Sequence, residues 1–203
     1  MGAVFANGMN LTVAEVSWFM MAFGLGGMFL QWPMGRLSDS IDRRKVIVGA
    51  TAVSTVAAGS AIFAGQHSAL VLIAMMAVYG ALSVPLYSLF IAHTNDHLES
   101  RQRVAASGGL VMVGGLGAVL GPTLCATVMD SFGAPAFFAF LASIHAGVTL
   151  FGVWRMYRRA PVPVERQQHY VAIPPRSTAI AAGIASRTMR DARDRDLARW
   201  SDL

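Results

Sequence analysis

Five long apolar runs without charged residues limit what this chain can fold into. They cover residues 16–34, 46–65, 69–92, 104–129 and 134–154, and none contains Lys, Arg, Asp or Glu. A helix needs about 20 mostly apolar residues to cross the hydrocarbon core of a bilayer, and each run reaches or nearly reaches that length. One such run could be a buried helix of a soluble protein, but five in succession predict an all-α integral membrane protein.

The basic residues lie on alternate links between these runs. All 16 Lys and Arg fall in three places: four in the link 35–45, two in the link 93–103, and ten from residue 155 onward. Cytoplasmic loops of membrane proteins carry the excess of Lys and Arg, so this alternation predicts a multi-pass protein of the cell membrane with a cytoplasmic C-terminus. Charge placed in this way indicates the lipid bilayer, and not a nucleic acid, as the partner.

The two ends of the chain differ from its centre. Residues 1–8 are apolar but too short to cross a bilayer, and we interpret them as the end of a truncated helix. A signal peptide is excluded because it needs a positive n-region, whereas the first basic residue is Arg36.

Residues 160–203 are polar, Arg-rich and interrupted by prolines, which predicts a disordered basic cytoplasmic tail. An amphipathic helix on anionic lipid at 177–197 is the alternative.

The remaining residues, 1–159, form the predicted membrane domain. Its full spans are expected at about 13–35, 45–65, 68–93, 103–129 and 134–157. Thr12 with Glu15 three residues later predicts a capping box at the first start, and Pro135 suits the first turn of the last helix. Pro33 and Gly35 predict the end of the first full span.

The link 35–45, GRLSDSIDRRK, is a short charged turn between two predicted spans. Its pattern Gly-x-Leu-Ser-Asp-x-x-x-Arg-Arg resembles the signature loop of the major facilitator superfamily of secondary transporters. The resemblance implies that Gly35 lets helices approach closely. It also implies that Asp39 faces the N-terminal end of the fifth helix of the same half, where unpaired N–H groups favour an anion.

The same resemblance assigns Arg43 and Arg44 to pair with carboxylates or lipid phosphates. One position departs from the family pattern, which often has Gly where this chain has Asp42. Asp tolerates a left-handed backbone better than most residues, so the turn can still form. A generic positively charged loop is the alternative interpretation.

A second motif, Gly117-Ala-Val-Leu-Gly121-Pro122, lies in a glycine-rich run. Small residues four apart let helix backbones pack closely, and G-x-x-x-G-P also resembles a motif on the fifth helix of a half in this family. If residues 1–8 belong to the first helix, both motifs fall at the expected places. The chain thus resembles the C-terminal half of such a transporter, with helices eight to twelve complete and helix seven truncated. Residues 31–37 also resemble the YcaD-type branch.

Polar side chains recur every four residues on the third full span, so they share one helix face. Polar groups inside a span normally face the bundle interior or water, which predicts that this face lines a substrate cavity. Hydrogen bonding between helices is the alternative for this face, whereas His145, on the last helix, is expected to pack between helices. The candidate cavity residues are Tyr79, Ser83, Tyr87, Gln31 and Asn7.

The resemblance implies transport of a small solute by alternating access, with the chain as a fragment or half of the carrier. An N-terminal half would then be its partner. The sequence contains no phosphate-binding glycine loop, no catalytic triad and no metal-ligand spacing, so we expect no enzyme activity, no cofactor and no metal. A membrane scaffold with a basic tail and no transport is the alternative. The residues do not identify the solute.

Overall fold

The computed structural model describes residues 1–64, 68–99, 102–164, 167 and 169–172, and these residues form six helices. The helices are α1 (Gly2–Gly8), α2 (Val13–Ser40), α3 (Arg43–Ala64), α4 (Ala69–Asn95), α5 (Gln102–Phe132) and α6 (Ala136–Arg158). Helices α2 to α6 are long and apolar enough to cross a membrane, whereas the 7 residues of α1 are too few. The prediction of an all-α membrane protein with five full spans is confirmed.

The predicted start of the first full span is confirmed. The Thr12 amide donates to Glu15 Oε2 at 2.8 Å, and the Glu15 amide donates to Thr12 Oγ1 at 3.4 Å. Together these bonds satisfy two amides that the first turn would otherwise leave unpaired. Pro135 lies at the N-cap of α6, next to the predicted first turn.

The predicted end of that span is wrong. Helix α2 continues through Pro33 and Gly35 to Ser40. A proline removes one helical hydrogen bond, and packed neighbours can hold the helix together around it. In the last turn, the Ser38 hydroxyl donates to the Gly35 carbonyl at 2.8 Å and the Ser40 hydroxyl to the Leu37 carbonyl at 2.9 Å. Only residues 41 and 42 therefore connect α2 to α3.

Helices α2 and α4 form the most extensive helix pair, and glycines bring their backbones together. A Cβ on Gly26 would collide with the Ala77 carbonyl oxygen on α4, and one on Gly80 would collide with the Phe23 carbonyl oxygen on α2. Each glycine thus packs directly against the backbone of the other helix. This is the close helix approach that the sequence analysis assigned to a different glycine.

Helix α3 joins the rest of the bundle by packing against α4 and α6. Two buried clusters stabilise opposite ends of the bundle. Near α1, the ring of Phe5 stacks on Phe137 with centroids 5.0 Å apart and meets Phe138 edge-on at 5.1 Å. At the other end, which carries residues 35–45 and is called the basic end below, Met34 and Leu89 belong to the second cluster.

Helix α5 is the least buried of the five spans, with 6% of its apolar stretch covered. Its principal contact among the described helices is with α6. No described residue places an atom within 4 Å of a Cβ added at Gly117 or Gly121. The motif predicted to pack helices therefore faces open space in this chain.

Candidate functional site

A buried network of charges lies at the basic end, with Arg43 at its centre. Arg43 Nη1 lies 2.6 Å from Asp96 Oδ2, at the end of α4, and Nη2 lies 3.0 Å from Asp39 Oδ1, on α2. The side chains of Arg43 and Asp96 are each 1% exposed. One guanidinium thus joins three helices through two charge-assisted hydrogen bonds.

Arg44 forms the second basic group of the link and ties it to α6. Arg44 Nη2 lies 2.9 Å from Asp42 Oδ2, and Nη1 donates to the carbonyl of Arg159 at 2.8 Å. Burial alone would raise the pKa of the Asp42 carboxyl, but hydrogen bonds from Arg44 lower it below its usual value. The expected left-handed backbone at Asp42 is wrong, because among the described non-glycine residues only Asn10 has positive φ.

Asp39 has a partner that the sequence analysis did not foresee. Besides Arg43, its carboxylate accepts a 2.8 Å hydrogen bond from the backbone amide of Tyr170, and His169 Nδ1 lies 3.6 Å from its second oxygen. The predicted contact of Asp39 with the N-terminal end of the fifth helix, α5, involves residues that lie mostly outside the described ones, and it stays a prediction. In the segment after α6, predicted to be disordered, His169 and Tyr170 thus lie against the bundle.

Gly35 lies against the C-terminal segment. A Cβ added to Gly35 would collide with the aromatic ring of Tyr170, including Cε1 at 2.6 Å. Its missing side chain thus makes room for an aromatic ring, and the predicted role of Gly35 in a close approach between helices stays a prediction.

A cavity of about 580 Å³ opens between α2, α4 and α6, and the predicted polar stripe lines it. Most of its wall is apolar or aromatic. Its hydroxyl and imidazole groups are those of Tyr79, Ser83, Tyr87, Thr51 and His145. An apolar cavity with a few convergent polar groups is the usual form of a small-molecule site.

The stripe and His145 contact each other across the cavity. The Tyr79 hydroxyl lies 3.5 Å from His145 Nδ1, with the two rings nearly perpendicular and 5.4 Å apart. His145 Nδ1 also lies 2.9 Å from the Leu141 carbonyl, one turn earlier. The sequence analysis expected His145 only to pack helices, although an ionisable residue inside a span is itself a signal of function.

Two other cavity candidates lie elsewhere. Neither Gln31 nor Asn7 is among the described residues that line this cavity. The Gln31 side chain lies near the hydroxyl of Tyr170 at the basic end, and Asn7 is exposed on α1. The structure therefore brings together the three stripe residues and separates them from these two.

Comparisons with known proteins agree with this architecture. The family model described as Major Facilitator Superfamily matches residues 1–192. A protein named uncharacterized MFS-type transporter YcaD, from Escherichia coli O17:K52:H18 (strain UMN026 / ExPEC), is 27% identical over 161 residues, which cover 79% of this chain and 41% of the relative. The YcaD protein of Escherichia coli (strain K12 / DH10B) has the same identity and coverage.

No solved structure matches the chain. The chain spans 41% of the length of the curated relatives it matches. The family match, in contrast, includes every described helix, from α1 to α6. The chain is a multi-pass membrane protein and belongs to the major facilitator superfamily.

Proposed function

We propose that this chain is the C-terminal, six-helix part of a carrier that moves a small solute across the membrane by alternating access. The observation that carries this proposal is the family match over residues 1–192. It is supported by the buried charge network at the signature loop and by the cavity between the spans. In such carriers two helical units rock around a site near the bilayer midplane.

The rest of the carrier would cover surfaces that this chain leaves open. A Cβ added to any glycine of α5 would have no described atom of another helix within 4 Å. Small residues four apart favour close contact with another helix. The relatives extend well beyond the matched part. Both observations support an N-terminal six-helix half as the partner, with α5 at the interface.

Transport is tested with the whole carrier in proteoliposomes. A mixed panel of sugars, amines and organic acids is offered outside, and the lumen is analysed by mass spectrometry. We expect uptake of a subset of the panel, which Ser83→Trp blocks because the larger side chain fills the cavity. Val13→Trp, at the start of α2 where the side chain is 85% exposed, is the control. A membrane scaffold would accumulate no solute above protein-free vesicles.

The cavity itself leads to a prediction that does not need the solute. In a Cys125→Ser background, cysteines at Ser83 and Tyr87 should react with a water-soluble methanethiosulfonate reagent, because a hydrated thiol ionises and the thiolate is the reactive form. Val78→Cys, on the outer face of the same helix and 47% exposed in the bundle, should stay unreacted in lipid. Equal rates of reaction at all three positions would mean that the stripe is a packing surface and does not line a hydrated cavity.

We also propose that the basic end faces the cytoplasm, because it carries the links rich in Lys and Arg. In the Cys125→Ser background, cysteines at Ser68 and Ser131 should react with an impermeant maleimide added to intact cells. Ala160→Cys should react only after the membrane is permeabilised. Ala160 is exposed and lies three spans beyond Ser68. Labelling of Ala160→Cys in intact cells would contradict this orientation.

A further inference from the structure

The segment that follows α6 crosses the basic end and inserts one side chain between α2 and α4. Tyr170 packs against the buried cluster that includes Met34, on α2, and Leu89, on α4. The space for its ring exists because residue 35 is glycine: a methyl group there would overlap the ring. This contact is specific, because it requires that residue 35 has no side chain. General adhesion of a tail would not depend on the identity of residue 35.

The backbone of the segment is also held. The Arg159 carbonyl accepts a hydrogen bond from Arg44 at 2.8 Å, where the segment leaves α6. Ten residues later, His169 lies beside Asp39, and the Tyr170 amide donates to Asp39 Oδ1 at 2.8 Å. Between them, the Gln167 amide donates to the Val164 carbonyl at 3.1 Å. The segment is therefore attached to the bundle at two ends.

The environment of the ring suits a neutral phenol. Burial raises the pKa of Tyr170, and the nearby Asp39 carboxylate adds to this effect, while Ser88 and Gln31 act in the opposite direction. The hydroxyl is buried close to the side chains of Ser88 and Gln31. The ring thus contributes through its apolar surface, and the backbone amide contributes the polar contact with Asp39.

We propose that residues 169–172 form a latch, in which Tyr170 positions Asp39 and holds the basic ends of α2 and α4 together. The Tyr170 amide and Arg43 Nη2 both donate to Asp39 Oδ1, so release of the latch would leave Arg43 as the partner of that oxygen. This inference rests on the proposed function in one respect: alternating access requires the basic end to rearrange. The engaged latch stabilises the conformation in which its contacts form, relative to any conformation in which they are broken.

The position of the latch is tested without transport by a disulfide. Gly35→Cys and Tyr170→Cys are combined in a Cys125→Ser background, with a protease site inserted in the link between α3 and α4. In membranes treated with a mild oxidant, we expect the two fragments to stay joined after cleavage and to separate on reduction. The control pair replaces Tyr170→Cys with Tyr157→Cys, since Tyr157 is 87% exposed on α6. No cross-link above this control would overturn the latch.

A double-mutant cycle tests the fit of the ring against glycine. Gly35→Ala and Tyr170→Ala should each lower the midpoint of thermal unfolding in detergent. The double variant should be no less stable than Tyr170→Ala alone, because the new methyl group then has no ring to meet. Tyr157→Ala should leave the midpoint unchanged. Additive losses from the two substitutions would mean that Gly35 and Tyr170 act independently, and the latch would be wrong.

The link to function is tested with the same disulfide in the whole carrier. We expect the oxidised carrier to lose transport and to regain it on reduction. An oxidised carrier that transports normally would overturn the latch while leaving the proposed function intact. If the cysteine-free carrier transports nothing from the panel, the proposed function fails, and the disulfide and the double-mutant cycle still decide the structural part of the latch.

Discussion

Replacing Gly80 with alanine should destabilise the bundle by about 1–3 kcal/mol, the usual cost of forcing extra atoms into a packed core. The new methyl group would collide with the Phe23 carbonyl oxygen, and a backbone atom cannot rotate away as a side chain can. Helices α2 and α4 would have to separate along their whole contact. The midpoint of thermal unfolding in detergent, followed by tryptophan fluorescence, measures the loss.

The control is an alanine where the glycine faces open space. Gly59, on α3, has no described atom within 4 Å of an added Cβ. Alanine there should be neutral or stabilising by up to about 1 kcal/mol, because glycine is the poorer helix former. Gly26→Ala should resemble Gly80→Ala, and the double variant should lose less than the sum since the first substitution already parts the helices. Equal behaviour of Gly59→Ala and Gly80→Ala would contradict the close crossing.

The spans could be predicted from the sequence because their signals are local. A run of about 20 apolar residues identifies a membrane helix wherever it packs, and Thr12 with Glu15 contains both halves of its own cap. The end of α2 was harder to predict. Pro33 alone predicts the end of a helix. Packed neighbours hold α2 together past this proline, the hydroxyls of Ser38 and Ser40 bond carbonyls of its last turn, and the helix continues to Ser40.

The pairing of helices could not be predicted, because it depends on which faces meet. Gly26 and Gly80 are two glycines among 20 in the chain, and nothing nearby in the sequence marks them as the crossing point. The role of Gly35 and the second partner of Asp39 depend on Tyr170, which lies 131 residues beyond Asp39. The polar stripe was predictable in part, since Tyr79 and Ser83 share a face by helical period alone.

Replacing Arg43 with methionine should destabilise the protein by about 3–5 kcal/mol, the typical cost of leaving a buried charge without its partner. The substitution removes the 2.6 Å contact between α3 and the end of α4, and with it the Arg43 partner of Asp96, whose side chain is 1% exposed. Arg43→Lys should recover only part of the loss, because a single ammonium cannot reproduce the planar fork that reaches two carboxylates. Thermal unfolding in detergent gives the change.

Two further variants distinguish the stability that comes from this buried network from the stability that comes from a surface charge. Arg36→Gln should cost at most about 1 kcal/mol, because Arg36 is exposed and its guanidinium lies only over the Trp32 ring, at 4.0 Å. Adding Asp96→Leu to Arg43→Met should restore much of the lost stability, since apolar groups then replace both members of the most buried pair, while Asp39 keeps the Tyr170 amide as a donor. If instead the double variant is less stable than Arg43→Met alone, the stability at the basic end comes from other contacts of Asp96. The Arg43–Asp96 pair would then not be what holds α3 against α4 there.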